Sequence, residues 1–160
     1  MYEDSPRRLV LLTVISLVIA LAALAVAGWA LYDSKNSEPD YDPAQIADAK
    51  VKVCNAADVV RRGISLNTNL APAGGPQDVT GAQAVAANAR VSLYDGGQYL
   101  LARLDPATPD QLADKIREFA DNLMDIGAHA TAGVPNGEPA QAKRLADADA
   151  ANNTITELCK

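Results

Sequence analysis

The chain is poor in the residues that reactive and metal-binding sites are made from. Among its 160 residues there are one histidine, two cysteines and two methionines, and aromatics make up only 4%. Two cysteines and one histidine lack the ligand count and spacing of a zinc site. No Gly-x-Ser-x-Gly elbow, HExxH, P-loop or GxGxxG pattern occurs. Gly74-Gly75-Pro76 and Gly96-Gly97 lack the strand, loop and lysine context of a phosphate cradle, and read as a turn and a kink. Bases are outnumbered, 14 against 20 acids, for a formal net charge of −6. A nucleic-acid binder would carry a basic face, and so would a domain held against anionic lipid headgroups. The composition therefore predicts a non-enzymatic protein with no cofactor, no metal and no nucleic-acid partner.

Alanine and one long apolar run are what the chain does have. Alanines number 31. The mean hydropathy of −0.04 conceals an uneven distribution. Leu9 to Leu31, 23 residues, contains no charge. At 1.5 Å per residue that run covers about 34 Å, enough to cross a hydrocarbon core of about 30 Å. Arg7 and Arg8 stand just before it; Asp33, Glu38, Asp40 and Asp42 follow it, with Lys35 the one base among them. The positive-inside rule then places the N-terminus in the cytoplasm and the remainder outside, in the plasma membrane of a single-pass protein. Trp29 and Tyr32 fall at the outer interface, where amphipathic aromatics concentrate. A cleaved signal peptide is the rival reading, with Ala25-Val26-Ala27 as the cleavage site, but the run exceeds the usual 7 to 15 residues.

Within that run Thr13, Ser16, Ala20, Ala23, Ala27 and Ala30 recur at spacings of 3 and 4 and form one stripe of small residues. Small side chains let a second helix approach closely, and packing rather than hydrophobicity drives association in lipid. The stripe predicts a membrane helix packing face. It does not separate a homodimer from a subunit of a larger complex.

The expected layout is a cytoplasmic segment 1–8, a transmembrane helix 9–32, a polar linker 33–42 and an external helical domain 43–160. Asp42-Pro43 opens the first external helix as N-cap and first-turn proline, with Ile46, Val53, Ala57, Val60 and Ile64 at helical spacing. Residues 66–79 read as a loop. A second pattern, opened by Thr80, keeps its rhythm from Ala82 to Leu104 through Asp95-Gly96-Gly97, as one bent helix or two in a tight corner. Thr108-Pro109-Asp110-Gln111 predicts a capping box ahead of Leu112, Ile116, Phe119, Leu123 and Ile126. The last helix begins at Pro139, with Ala142, Leu145, Ala148, Ile155 and Leu158 inward. Four amphipathic helices with three connections predict an all-α fold, an antiparallel four-helix bundle.

In an oxidising compartment Cys54 and Cys159 are expected to pair and stitch the last helix to the first. Closing a loop of that length adds about 4.7 kcal/mol in the chain-entropy treatment. His129 reads as a surface or capping residue near a helix end. Asp114, Glu118, Asp121 and Asp125 form an acidic ridge, read as a solvated face. Tyr94 and Tyr99 flank the glycine pair, and with Gly96 they are the candidate ligand groove; core packing is the competing reading.

The layout resembles small single-pass envelope proteins of actinobacteria. ANARVSLYDGGQYLLARLD followed by TPDQLADKIREFADNL, within Ala86 to Ala128, carries most of the likeness. Some proteins of this layout look like accessory subunits of large envelope machines, the Mce lipid-import systems among them. The resemblance implies a stabilising subunit whose partners are the transmembrane helices and external domains of other membrane subunits. Two alternatives stand beside it: an external binding module for an apolar envelope ligand such as a lipid, and a homodimeric structural anchor.

Overall fold

A computed structural model describes residues 6–36 and 40–160. Most of the expected segment 1–8, including the side chains of Arg7 and Arg8, and residues 37–39 of the expected linker lie outside the described residues. The chain divides into two units, the first ending at Asp40 and the second running Tyr41–Lys160.

The first unit holds one helix, α1 (Pro6–Asn36). Pro6 takes the first helical position, where its missing N–H costs nothing. Alanine and leucine then carry the helix without interruption. The apolar span is Val10–Asp33, 24 residues, long and apolar enough to cross a membrane, and none of it is buried within the chain. The helix runs on through Asn36, so residues 33–36 of the expected linker are helical.

The second unit contains α2 (Pro43–Thr68), α3 (Val79–Arg103), α4 (Asp110–Thr131) and α5 (Pro139–Leu158). No strand occurs among the described residues. At the start of α2 the Asp42 carboxylate accepts from the backbone N–H of Ala44 and Gln45, and the Gln45 side chain accepts from the Asp42 N–H. This closes a capping box. At α3 the cap is Asp78, accepting from Gly81, rather than the expected Thr80. At α5 it is Glu138, accepting from Gln141, with Pro139 at the first position.

The box expected at Thr108 does not form. The chain enters α4 through a turn in which Asp105 accepts from Ala107 and Thr108 donates its N–H to the Asp105 carbonyl. That turn moves the N-cap on to Pro109, which has no side-chain donor or acceptor to offer. Thr108 is left buried, its hydroxyl without a partner.

One core joins the four helices. Val53, Ala57 and Val60 come from α2, Leu100 from α3 and Ile155 from α5. The whole expected stripe of α4, Leu112, Ile116, Phe119, Leu123 and Ile126, is buried. Burying each such side chain contributes about 1.5–3 kcal/mol. The alanines Ala56, Ala57, Ala120, Ala148 and Ala151 fill the seams and let the backbones approach. Ile46 and Ala142, both expected inward, are exposed. Gln141 instead is fully buried beside Ala142, its side-chain amide donating to the Ile126 carbonyl.

Gly96 and Gly97 lie inside one continuous α3. A Cβ on Gly97 would come within 2.6 Å of the Ala120 carbonyl oxygen and of Met124, both on α4. A Cβ on Gly96 would lie 2.9 Å from Val60 on α2. The pair is therefore a crossing point between helices, which outweighs the roughly 1 kcal/mol that each glycine costs in helix propensity.

Packing runs α2 on α3, α3 on α4 and α4 on α5. The remaining side, α2 facing α5, is joined by other means. Cys54 and Cys159 form a disulfide with their Cα atoms 5.8 Å apart, across 105 residues of sequence. The Arg61 guanidinium donates to the Thr156 hydroxyl and also pairs with Asp58.

Candidate functional site

The side that lacks close helix packing holds a cleft of about 860 Å³. Its floor is the buried stripe of α4, Phe119, Leu123 and Ile126. Half-buried Ile64 of α2, Leu93 of α3 and Leu145 of α5 line the sides. The α2 residues that border it lie beyond Cys54, and the α5 residues lie before Cys159, so the disulfide sits past one end of the cleft. A cleft of this size, apolar at its floor and polar around its border, falls within the range of small-molecule sites.

Polar side chains also border it, Ser65, Thr68 and Asn69 of α2 and Asn136 of the α4–α5 connection among them. Arg61 borders the cleft but is already engaged by Asp58 and Thr156. Arg90 of α3, half-buried, has no hydrogen bond or ion pair with any described residue. On the α5 side Asp149 is exposed at the rim. Asn152, also on α5, has its side-chain oxygen removed from solvent and without a donor. An acceptor buried in this way costs about 1–3 kcal/mol.

The three residues expected to form a groove are not brought together. On a continuous helix Tyr94 and Gly96 project about 200° apart at 3.6 residues per turn. Tyr94 borders a shallow depression with Arg90, Val91, Asp95, Gly127 and Thr131. Gly96 faces α2, and Tyr99 stands partly exposed under the Arg103 guanidinium, 4.7 Å from its ring centre. The expected kink would have let Tyr94 and Tyr99 converge, and the unbroken helix separates them. The cleft left no mark in the sequence beyond Arg90, a cation near the apolar side of its helix.

In α1 the stripe Thr13, Ser16, Ala20, Ala23, Ala27 and Ala30 lies along one exposed side. Thr13, Ser16 and Ala20 border a shallow depression together with Val10, Val14 and Leu17. The Ser16 hydroxyl donates to the Thr13 carbonyl, so its polar group is satisfied within the helix. The larger side chains Leu21, Leu24 and Leu31 are 59–69% exposed, with nothing in their own unit to bury them.

The acidic ridge of α4 is partly neutralised on its own helix, Asp114 by Arg117 and Glu118 by Lys115. His129 stands in the last turn of α4. Two carboxyls are held below their usual range. Asp105 is lowered by the Ala107 N–H and then by Lys52 of α2. Glu138 is lowered by the N–H groups of Gln141 and Ala140 at the α5 terminus. Both are turn and cap groups, outside the cleft. Among the described residues no three His, Cys, Asp or Glu side chains gather as metal ligands would. No known protein family, curated protein or solved structure matches the chain.

Proposed function

We propose that this chain is a non-enzymatic accessory subunit of a larger cell-envelope membrane complex. α1 is its anchor and its docking element at once. The reading is carried by one observation: a 24-residue apolar span that buries nothing within its own chain and sets six small residues, Thr13, Ser16, Ala20, Ala23, Ala27 and Ala30, along one side. Lipid alone satisfies leucine as well as a neighbouring helix does, so small residues on one side matter only where another backbone comes close.

The orientation follows from charge. Arg7 and Arg8 precede the span, and acids dominate after it, which supports an external position for α2 to α5, as an antiparallel four-helix bundle in this reading. The disulfide supports that side, because such bonds persist in oxidising compartments. The external bundle rests on partner subunits. A complex of the Mce lipid-import kind, which the layout resembles, is the assembly we favour.

Replacing Ala20 or Ala23 with leucine tests the contact. Each change widens the small side of α1 without altering its hydrophobic length. Co-purification of partner membrane subunits is expected to fall with either variant. Unchanged co-purification would show that this face makes no contact.

A further inference from the structure

We propose that the cleft between α2, α3, α4 and α5 binds a single-chain amphiphile with an anionic head. This goes beyond the accessory role and does not depend on it. Three observations define the ligand. The cleft is about 860 Å³, within the range of small-molecule sites. Its inner surface, Ile64, Leu93, Phe119, Leu123, Ile126 and Leu145, is apolar and suits an alkyl chain. Two of its polar groups are unmatched. Arg90 is a guanidinium with no partner among the described residues, and the Asn152 oxygen is a buried acceptor with no donor.

A guanidinium in a half-buried setting attracts a carboxylate or phosphate, with bidentate geometry available to both. Asp149, on the α5 side, repels an anion, so the head belongs on the α3 side beside Arg90. The aliphatic chain then lies along the floor provided by α4. Helix spacing keeps the cleft open. α2 and α5 are tied by the disulfide beyond one end, while the residues bordering the cleft lie on the stretches leading away from it.

The test uses the full-length protein in phosphatidylcholine nanodiscs. Palmitic acid carrying a mid-chain diazirine is added, irradiated, and its adducts are mapped by peptide mass spectrometry. Adducts are expected on peptides containing Leu93, Leu123 and Leu145. They should fall about tenfold in Ala89→Phe, which fills the cleft from α3. They should fall about threefold in Arg90→Gln, the range of a partly exposed ion pair.

Unlabelled palmitate or lysophosphatidate should compete, one showing a carboxylate head and the other a phosphate. Methyl palmitate, the same chain without charge, should not. Adducts confined to α1 peptides would mean simple membrane partition and overturn the proposal. Cleft adducts that survive Arg90→Gln and yield to methyl palmitate would overturn the anionic head. Should Ala89→Phe fail to fold, as judged by its melting curve, Arg90→Gln and the competition series decide alone.

Discussion

Removing the disulfide is expected to destabilise the helical domain about as much as truncating a large core side chain. α2 and α5 lie on the side without close helix packing, so Cys54–Cys159 is the main covalent or packing tie between the domain's first and last helices. In the chain-entropy treatment a crosslink spanning 105 residues contributes about 4.7 kcal/mol. Measured values for such bonds fall lower, so about 3 kcal/mol is the working figure. Against a total stability of about 5–15 kcal/mol that is a large share. For a domain of this size it corresponds to a drop of about 10 °C in melting temperature.

The assay is thermal and urea unfolding of Cys54→Ala/Cys159→Ala, followed by circular dichroism, beside the parent with and without reductant. Reduced parent and double variant should coincide, and reductant should leave the variant unchanged. A loss below about 1 kcal/mol would refute the reasoning, because α2 and α5 would then be held by packing alone.

Four further outcomes follow from the same structure. Gly97→Ala should destabilise by about 1–3 kcal/mol despite its better helix propensity, because the new methyl meets the Ala120 carbonyl; urea midpoints check it. Gly127→Ala, whose methyl would lie 3.1 Å from the Arg90 carbonyl oxygen, should cost less than Gly97→Ala in the same assay. Gln141→Ala should cost about 2 kcal/mol by emptying a fully buried site and removing its bond to the Ile126 carbonyl, read from the same curves. The Glu138 carboxyl is lowered in the folded state, so its contribution is present above the ordinary glutamate range and is lost as pH falls through the lowered value. Glu138→Gln should therefore flatten the acid side of a plot of melting temperature against pH, and an unchanged acid limb would contradict the cap.

Local signals were legible in the sequence wherever the controlling interaction is local. Asp42-Pro43 and Pro139 start helices where their chemistry says they should. The α4 stripe is buried throughout, because a strong 3–4 apolar rhythm leaves one way to pack. The box at Thr108 failed because the turn at Asp105 takes up the approach and shifts the cap by one residue. Gly96-Gly97 was ambiguous, because what decides between kink and continuous helix is the approach of Ala120 and Val60 from other helices. The cleft was hidden for the same reason. It exists because α2 and α5 are tied rather than packed, a relation between elements more than 70 residues apart in sequence. Tyr94 and Tyr99, scarce aromatics beside glycine, drew the sequence reading to a stretch of α3 whose unbroken helix keeps the two rings apart.

The most direct test of the accessory role is gentle detergent extraction of the tagged full-length protein from its own membranes, followed by mass spectrometry of what remains attached. A stoichiometric set of larger membrane subunits is expected, reduced in the Ala20→Leu and Ala23→Leu variants. A protein that emerges alone, or only as its own dimer, would contradict the accessory role.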